Sequence, residues 1–247
     1  MEIKGKIYCF FEQSGVFKNE FKKLGYEAKD YDIENNYNQT DYIIDLFKEI
    51  ENCYGGGSSI FDEITPDDLI IAFFPCIYFE TIQQLYFMLS KQCFEHRPKT
   101  FQIKYAIDRL DKRTQFHKLL YKLTYIVLDK GLRLIIENPA TTPNYLITGQ
   151  NFPKPTFIDK NRMLRGDYFV KPTAYWFFNC EPTQGESYQY DKERKIINDC
   201  ERSKGNGLCS KERSMISPDY ARNFICDFII GKNQKQLVQQ KLNLTKV

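Results

Sequence analysis

The chain has 247 residues, a length suited to one α/β domain or one domain with a small appendage. Apolar residues make up 42%, which excludes a globally disordered chain, and a net charge of +3 excludes a global polycation. No apolar run approaches the roughly eighteen residues of a membrane span, and Met1 to Phe11 reads as a strand rather than the apolar core of a secretory signal. Aromatics reach 15%, with 20 Phe and 17 Tyr; this implies an aromatic core first and stacking platforms for bases second. The charge is uneven. Between Arg97 and Lys130 stand nine basic residues against Asp108, Asp111 and Asp129, and four Lys and no acid lie between Lys232 and Val247. Such runs are solvated helix faces or meet phosphate backbones. The eight cysteines (Cys9, Cys53, Cys76, Cys93, Cys180, Cys200, Cys209, Cys226) show no C-x-x-C pair and no zinc spacing. The expectation is no metal, no membrane, and free thiols in a reducing cytoplasm.

In chain order, Lys6 to Phe11 is a short aromatic-rich strand. Phe17, Phe21 and Leu24 follow at helical spacing, closed by Gly25. Glu27 to Ile33 is a second strand, Tyr42 to Ile50 an amphipathic helix, and Tyr54 to Ser59 a glycine-rich loop. Asp68 to Phe74 is a continuous apolar run, as in a strand covered on both faces. Helices are expected over Thr81 to Phe94 and over Ile107 to Asp129, the latter with Leu110, Phe116, Leu119, Leu120 and Leu123 as its apolar stripe. Leu132 to Ile136 is another buried strand, ending at Glu137-Asn138-Pro139. Pro153, Pro155, Asn161 and Arg162 read as loop, Tyr168 to Asn179 as strand, and the polar stretch 181–213 as an insertion. Pro218 to Ile229 is a last helix, with Ser217 as its N-cap. The alternation of strand and helix through residue 140 implies a parallel sheet with helices on both faces, whose ligands bind at the carboxyl ends of the strands.

The residues just after the strands are therefore the informative ones. Gly15, in the turn after the first strand, allows close backbone approach to a ligand or simply makes a turn. Asp32, after the second, is placed to hold the ribose hydroxyls of a nucleoside cofactor or is a solvated loop acid. Cys76 follows Pro75 at the tip of the central apolar strand, as a nucleophile would, its thiolate favoured by helix N-termini and positive charge; the alternative is a structural Cys. Glu137 ends the fourth strand and is either a general acid with a raised pKa or a polar strand terminus.

The arrangement Phe11-x-x-Ser14-Gly15, then Asp32, then Asp68 to Phe74 with Pro75-Cys76, then Glu137-Asn138-Pro139 resembles the DNA cytosine-5 methyltransferases, above all their short phage- and prophage-type members. Gly166-Asp167-Tyr168 through Lys171-Pro172-Thr173 to Trp176, and Arg213-Ser214 through Ser217-Pro218, add to the likeness, which spans about residues 6 to 230. It implies a Rossmann-like, class I S-adenosylmethionine-dependent methyltransferase domain over residues 1–230. The sheet would be mostly parallel, with a small irregular insertion at 181–213 and a basic tail at 231–247. Cys76 would add to carbon 6 of cytosine, Glu137 would protonate N3, and the methyl group of S-adenosylmethionine would pass to carbon 5 of a base flipped out of DNA. Phe11, Ser14, Gly15, Asp32, Asp45 and Pro75 would bind the cofactor, with Asp45 favoured over Asp62 near the adenine, and Asn138, Lys171 and Thr173 would bind the substrate. Gln13 stands where the family has a second Gly, and Phe74 where it has a first Pro. A second expectation is a methyltransferase-like scaffold that binds nucleic acid or a protein partner without turnover. Amino-group methylation ranks last, because the Asn/Asp-Pro-Pro-aromatic loop it uses does not follow the central strand.

Overall fold

The computed structural model describes residues 1–185, 187–190 and 214–231. Most of the expected insertion at 181–213, Arg213 of the last motif, and the basic tail beyond Gly231 lie outside the described residues. Seven strands, β1 (Ile7–Phe10), β2 (Ala28–Asp32), β3 (Tyr42–Ile43), β4 (Leu69–Ala72), β5 (Leu134–Pro139), β6 (Phe157–Asp159) and β7 (Thr173–Phe178), form one sheet in the order β3-β2-β1-β4-β5-β7-β6. The first five in that order pair in parallel; β7 runs antiparallel to β5, and β6 antiparallel to β7. The winding reverses between β1 and β4, so the two central turns at the carboxyl edge leave the sheet on opposite sides and open a crevice.

Alternation along the strands supplies two cores. Tyr8, Phe10, Ile70, Ala72, Ile136 and Trp176 pack against α2 (Leu46–Tyr54) and α4 (Lys99–Asp129). Ile7, Cys9, Leu69, Ile71, Ile135 and Tyr175 pack against α1 (Val16–Lys23) and Pro218–Phe224, the last helix. That helix opens as expected: the Ser217 hydroxyl accepts from the Tyr220 amide at 3.0 Å, and Pro218 stands at its first position. It continues as a π-helical turn, Ile225–Ile230, and stops at Gly231 in the left-handed conformation.

Several elements differ from expectation. Tyr42 and Ile43 are an edge strand rather than the start of a helix. Tyr42 stacks on Tyr31 with ring centroids 4.8 Å apart, and the Asp45 carboxylate accepts from the Phe47 and Lys48 amides, so the helix begins only at Leu46. The expected helix Thr81 to Phe94 is broken into a 3-10 turn at Thr81–Gln83, a single helical turn α3 (Gln84–Phe87) and a second 3-10 turn at Gln92–Phe94, with Leu89 at φ 55° interrupting it. The long helix starts eight residues earlier than expected, at Lys99, because the Gln102 amide bonds the Phe94 and Arg97 carbonyls and anchors its first turn. Its 31 residues span about 46 Å, far more than strands of four to six residues. The half before Phe116 therefore outruns the sheet, and Leu110, expected in the core stripe, is exposed there. Phe157–Asp159, read as loop, is the edge strand β6, while Tyr168 to Pro172 precede β7 instead of opening it.

Candidate functional site

The carboxyl edge collects the residues singled out above, and the local reasons differ. β1 ends at Phe10, and Phe11 takes a left-handed conformation, φ 59°. A bulky residue there carries strain on the order of 1–2 kcal/mol. Ring contacts with Phe47 at 5.5 Å and Phe74 at 5.3 Å hold it in place. Gly15, φ 67°, is the residue before α1, and a Cβ on it would meet the Gln39 Cβ at 3.1 Å. The Ser14 hydroxyl donates to Glu12 at 3.3 Å and accepts from the Val16 amide at 3.4 Å. Asp32 ends β2 half-buried, accepts the Glu34 amide at 2.8 Å, and its pKa is raised by burial. Exposed Ile33 follows it. Asp45 caps α2, and Asp62 caps the short turn Ile60–Asp62 and pairs with Lys130 at 3.0 Å. Both carboxylates thus have structural partners.

The β4 and β5 ends form the centre. The Phe73 amide donates to the Phe10 carbonyl at 3.0 Å, carrying β4 past its last residue toward Phe74-Pro75-Cys76. Fully buried Asn138 donates to the Phe74 carbonyl at 2.9 Å and so ties β5 to that turn; its side-chain oxygen has no hydrogen-bond partner among the described residues. Half-buried Cys76 donates to Glu80 Oε1 at 3.0 Å. β4, β5 and the segment before β7 meet here: Asn138 bonds the Phe74 carbonyl, and the Ala140 amide donates to the Pro172 carbonyl at 2.8 Å, so charges on Glu80, Lys171 and Glu137 act on the thiol. The expected bias toward thiolate is reversed. Burial and Glu80 push the Cys76 thiol well up, and Lys171 offsets only part of this. Thr173 is fully buried; its hydroxyl donates to the Lys171 carbonyl at 2.9 Å and accepts from Arg162 at 3.4 Å, so it shapes the start of β7 from within.

Three side chains escaped the sequence reading. Glu12, buried beneath the first turn, accepts the Phe17 and Lys18 amides at 2.8 and 3.3 Å and thereby caps α1; burial pushes its pKa up to about 7. An acid directly after a buried strand was the available signal. Glu80, four residues after Cys76, was the second. Arg162 is fully buried, pairs with Asp167, lies 3.6 Å from Glu137 Oε1 and covers the Tyr220 ring at 4.3 Å. Nothing local marks a buried Arg in a loop.

Beside the centre rises an arm built from residues 77–98 and the outrunning half of α4. Arg109 covers Tyr78, Tyr86 and Tyr105 and donates to Gln83, and Phe116 meets Tyr78 edge-on at 4.8 Å. The arm carries Lys91, Arg97, Lys99, Lys104, Arg109, Lys112 and Arg113 against Glu80, Glu95, Asp108 and Asp111, and Lys112 pairs with Asp108 at 2.9 Å. A cavity of about 340 Å³ opens next to it, lined by Gln84, Met88, Asn144, Tyr145 and Asn151 among others. Among the described residues no helix is long and apolar enough to cross a membrane, no group of three or more His, Cys, Asp or Glu could hold a metal ion, and six cysteines are free. No family model and no curated protein matches the chain.

Proposed function

We propose that the chain is an S-adenosylmethionine-dependent methyltransferase acting on carbon 5 of cytosine in DNA. The observation that carries this reading is the meeting, beside the switch point of a doubly wound sheet, of the Cys76 turn with the end of β5, through Asn138 on the Phe74 carbonyl, and with the segment before β7, through the Ala140 amide on the Pro172 carbonyl. The residues along the β1 and β2 ends fit a nucleoside cofactor. Asp32 offers carboxylate oxygens to a ribose diol, and Ile33 beside it offers an apolar surface to a base; Gly15 lets the chain turn left-handed into α1, with Gln39, Asn19 and Lys18 filling the space a Cβ would take. S-adenosylmethionine, when bound, supplies the electrophilic methyl group.

The chain's own groups do the rest. Cys76 Sγ attacks carbon 6, which turns an unreactive carbon 5 into an enamine carbon. Glu137 gives a proton to N3 as the addition proceeds. Arg162 stands behind Glu137, and Asn138 holds the Cys76 turn at a fixed distance from β5. The basic arm flanks the Cys76 loop and is placed for the phosphates of a strand whose base enters the crevice. A second reading, a scaffold that binds without turnover, is favoured by Gln13. Its amide donates to Glu34 at 3.3 Å and spans from the first turn to the loop after Asp32.

Calorimetry separates cofactor binding from chemistry. Asp32→Ala should weaken S-adenosylmethionine by roughly 10-fold or more, the loss of charge-assisted hydrogen bonds worth about 1.5–3 kcal/mol. Cys76→Ser should bind it as the wild type does. Equal affinity of wild type and Asp32→Ala would remove Asp32 from the cofactor site.

A further inference from the structure

Cys76 does not stand alone on its turn. The Phe79 and Glu80 amides both donate to the Cys76 carbonyl, at 2.8 and 3.1 Å, so the chain closes one turn immediately after the thiol. Residues four apart then lie on the same side, and Glu80 Oε1 comes to 3.0 Å from Cys76 Sγ. The loop is pinned beyond that turn as well: the Thr81 hydroxyl donates to the Thr141 carbonyl at 3.1 Å, and the Tyr145 amide to the Phe79 carbonyl at 2.9 Å. The charged groups facing the thiol come from three elements, Glu80 from its own turn, Glu137 from β5 and Lys171 from the segment before β7. Of these, Glu80 receives the thiol's hydrogen bond.

We propose that Glu80 is the general base that takes the Cys76 proton as the thiol attacks carbon 6, and the proton store that returns it when the product leaves. The assignment rests on the reading of Cys76 as nucleophile. In the forward step the S–H bond breaks toward Glu80 Oε1 while the Sγ–C6 bond forms. The C5=C6 pair moves into a C4–C5 double bond, and the C4=N3 pair takes the proton of Glu137. After methylation the N3 proton returns to Glu137 and the C5 proton leaves to water. The C5=C6 bond re-forms, the Sγ–C6 bond breaks toward sulfur, and Sγ recovers its proton from Glu80. At rest the ionised carboxylate and burial both hold the proton on sulfur, which keeps the thiol from side reactions until a base is in place.

Two rates on the intact protein test this: covalent trapping on DNA containing 5-fluorocytosine, and iodoacetamide labelling of Cys76 followed peptide by peptide across pH. A base removed and a charge removed act in opposite directions. Glu80→Gln should trap DNA about 10²-fold more slowly yet label at Cys76 at lower pH than the wild type, because the negative charge opposing the thiolate is gone. Glu80→Ala should regain trapping when formate is added, and Glu80→Asp, the fallback should the Gln variant fail to fold, should trap more slowly than the wild type and faster than Glu80→Ala. Trapping by wild type and Glu80→Gln at equal rates, or an unchanged labelling midpoint, would overturn the role of Glu80 and leave Cys76 as nucleophile. A wild type that traps no DNA at all would overturn the nucleophile reading, and the base role with it.

Discussion

Glu12 lies under the turn where a ligand would approach, and its burial has a measurable consequence. Its ordinary value is 4.5 and its folded-state value about 7, raised by desolvation against the hydrogen bonds of Phe17 and Lys18. The folded state therefore holds the proton more tightly than the unfolded chain. The stability from this group is fully present below pH 4.5 and is lost as pH rises through about 7. Urea unfolding across that window should show the wild type losing about 3 kcal/mol relative to Glu12→Gln, which has no proton to lose. Parallel curves for the two proteins would show that Glu12 titrates normally. At this scale the sequence was legible in placement: Gly15, Asp32 and Cys76 stand at or just past strand ends, whereas Glu137, expected just after its strand, lies within β5 paired with Tyr175. It was silent where a partner comes from far along the chain. Arg162 meets Glu137 across 25 positions, and only the folded sheet brings β5 beside the loop before β7. The expected activation of Cys76 failed for a different reason: burial and Glu80, only four residues along, push its thiol up.

Elements built from continuous apolar runs were readable, because a strand covered on both faces needs no distant cause: β1 and β4 fall inside the expected segments, while β5 runs three residues past the expected Ile136, held there by antiparallel pairing with β7. β6 was hidden between prolines. Its three residues are held by antiparallel pairing with Tyr175, Ala174 and Thr173, a non-local cause. Tyr42 to Ile50 misled because Tyr42, Leu46 and Ile50 share helical spacing, while Asp45 caps the helix from within that run. Arg162 is where elements are joined. Its backbone amide donates to the Val170 carbonyl at 3.0 Å, and its guanidinium pairs with Asp167 and packs on Tyr220 of the last helix. Asp167 in turn accepts the Ser217 amide at 2.9 Å. Arg162→Met should leave a buried carboxylate unpaired and cost about 3–5 kcal/mol in urea unfolding. Adding Asp167→Asn should recover part of it. A loss within 1 kcal/mol would mean that the pair does not join β5, β7 and the last helix as described.

At the scale of the molecule, a doubly wound sheet sets a crevice between β1 and β4, and three carboxyl-edge features share it: a left-handed glycine turn, an acid beside an apolar surface, and a thiol among titratable groups. The basic arm stands over this edge because α4 is about twice as long as the sheet can cover. Fold class and edge placement followed from alternation and apolar runs; the arm's projection did not, since its helix carries apolar residues along both halves. Methyl transfer itself is the central claim, and it is tested by incubating the protein with S-adenosylmethionine labelled in its methyl group and DNA of mixed sequence, then digesting the DNA to nucleosides. Label should appear in 5-methylcytosine with the wild type and not with Cys76→Ser. No labelled nucleoside from the wild type on any DNA, or labelling that survives Cys76→Ser, would contradict it.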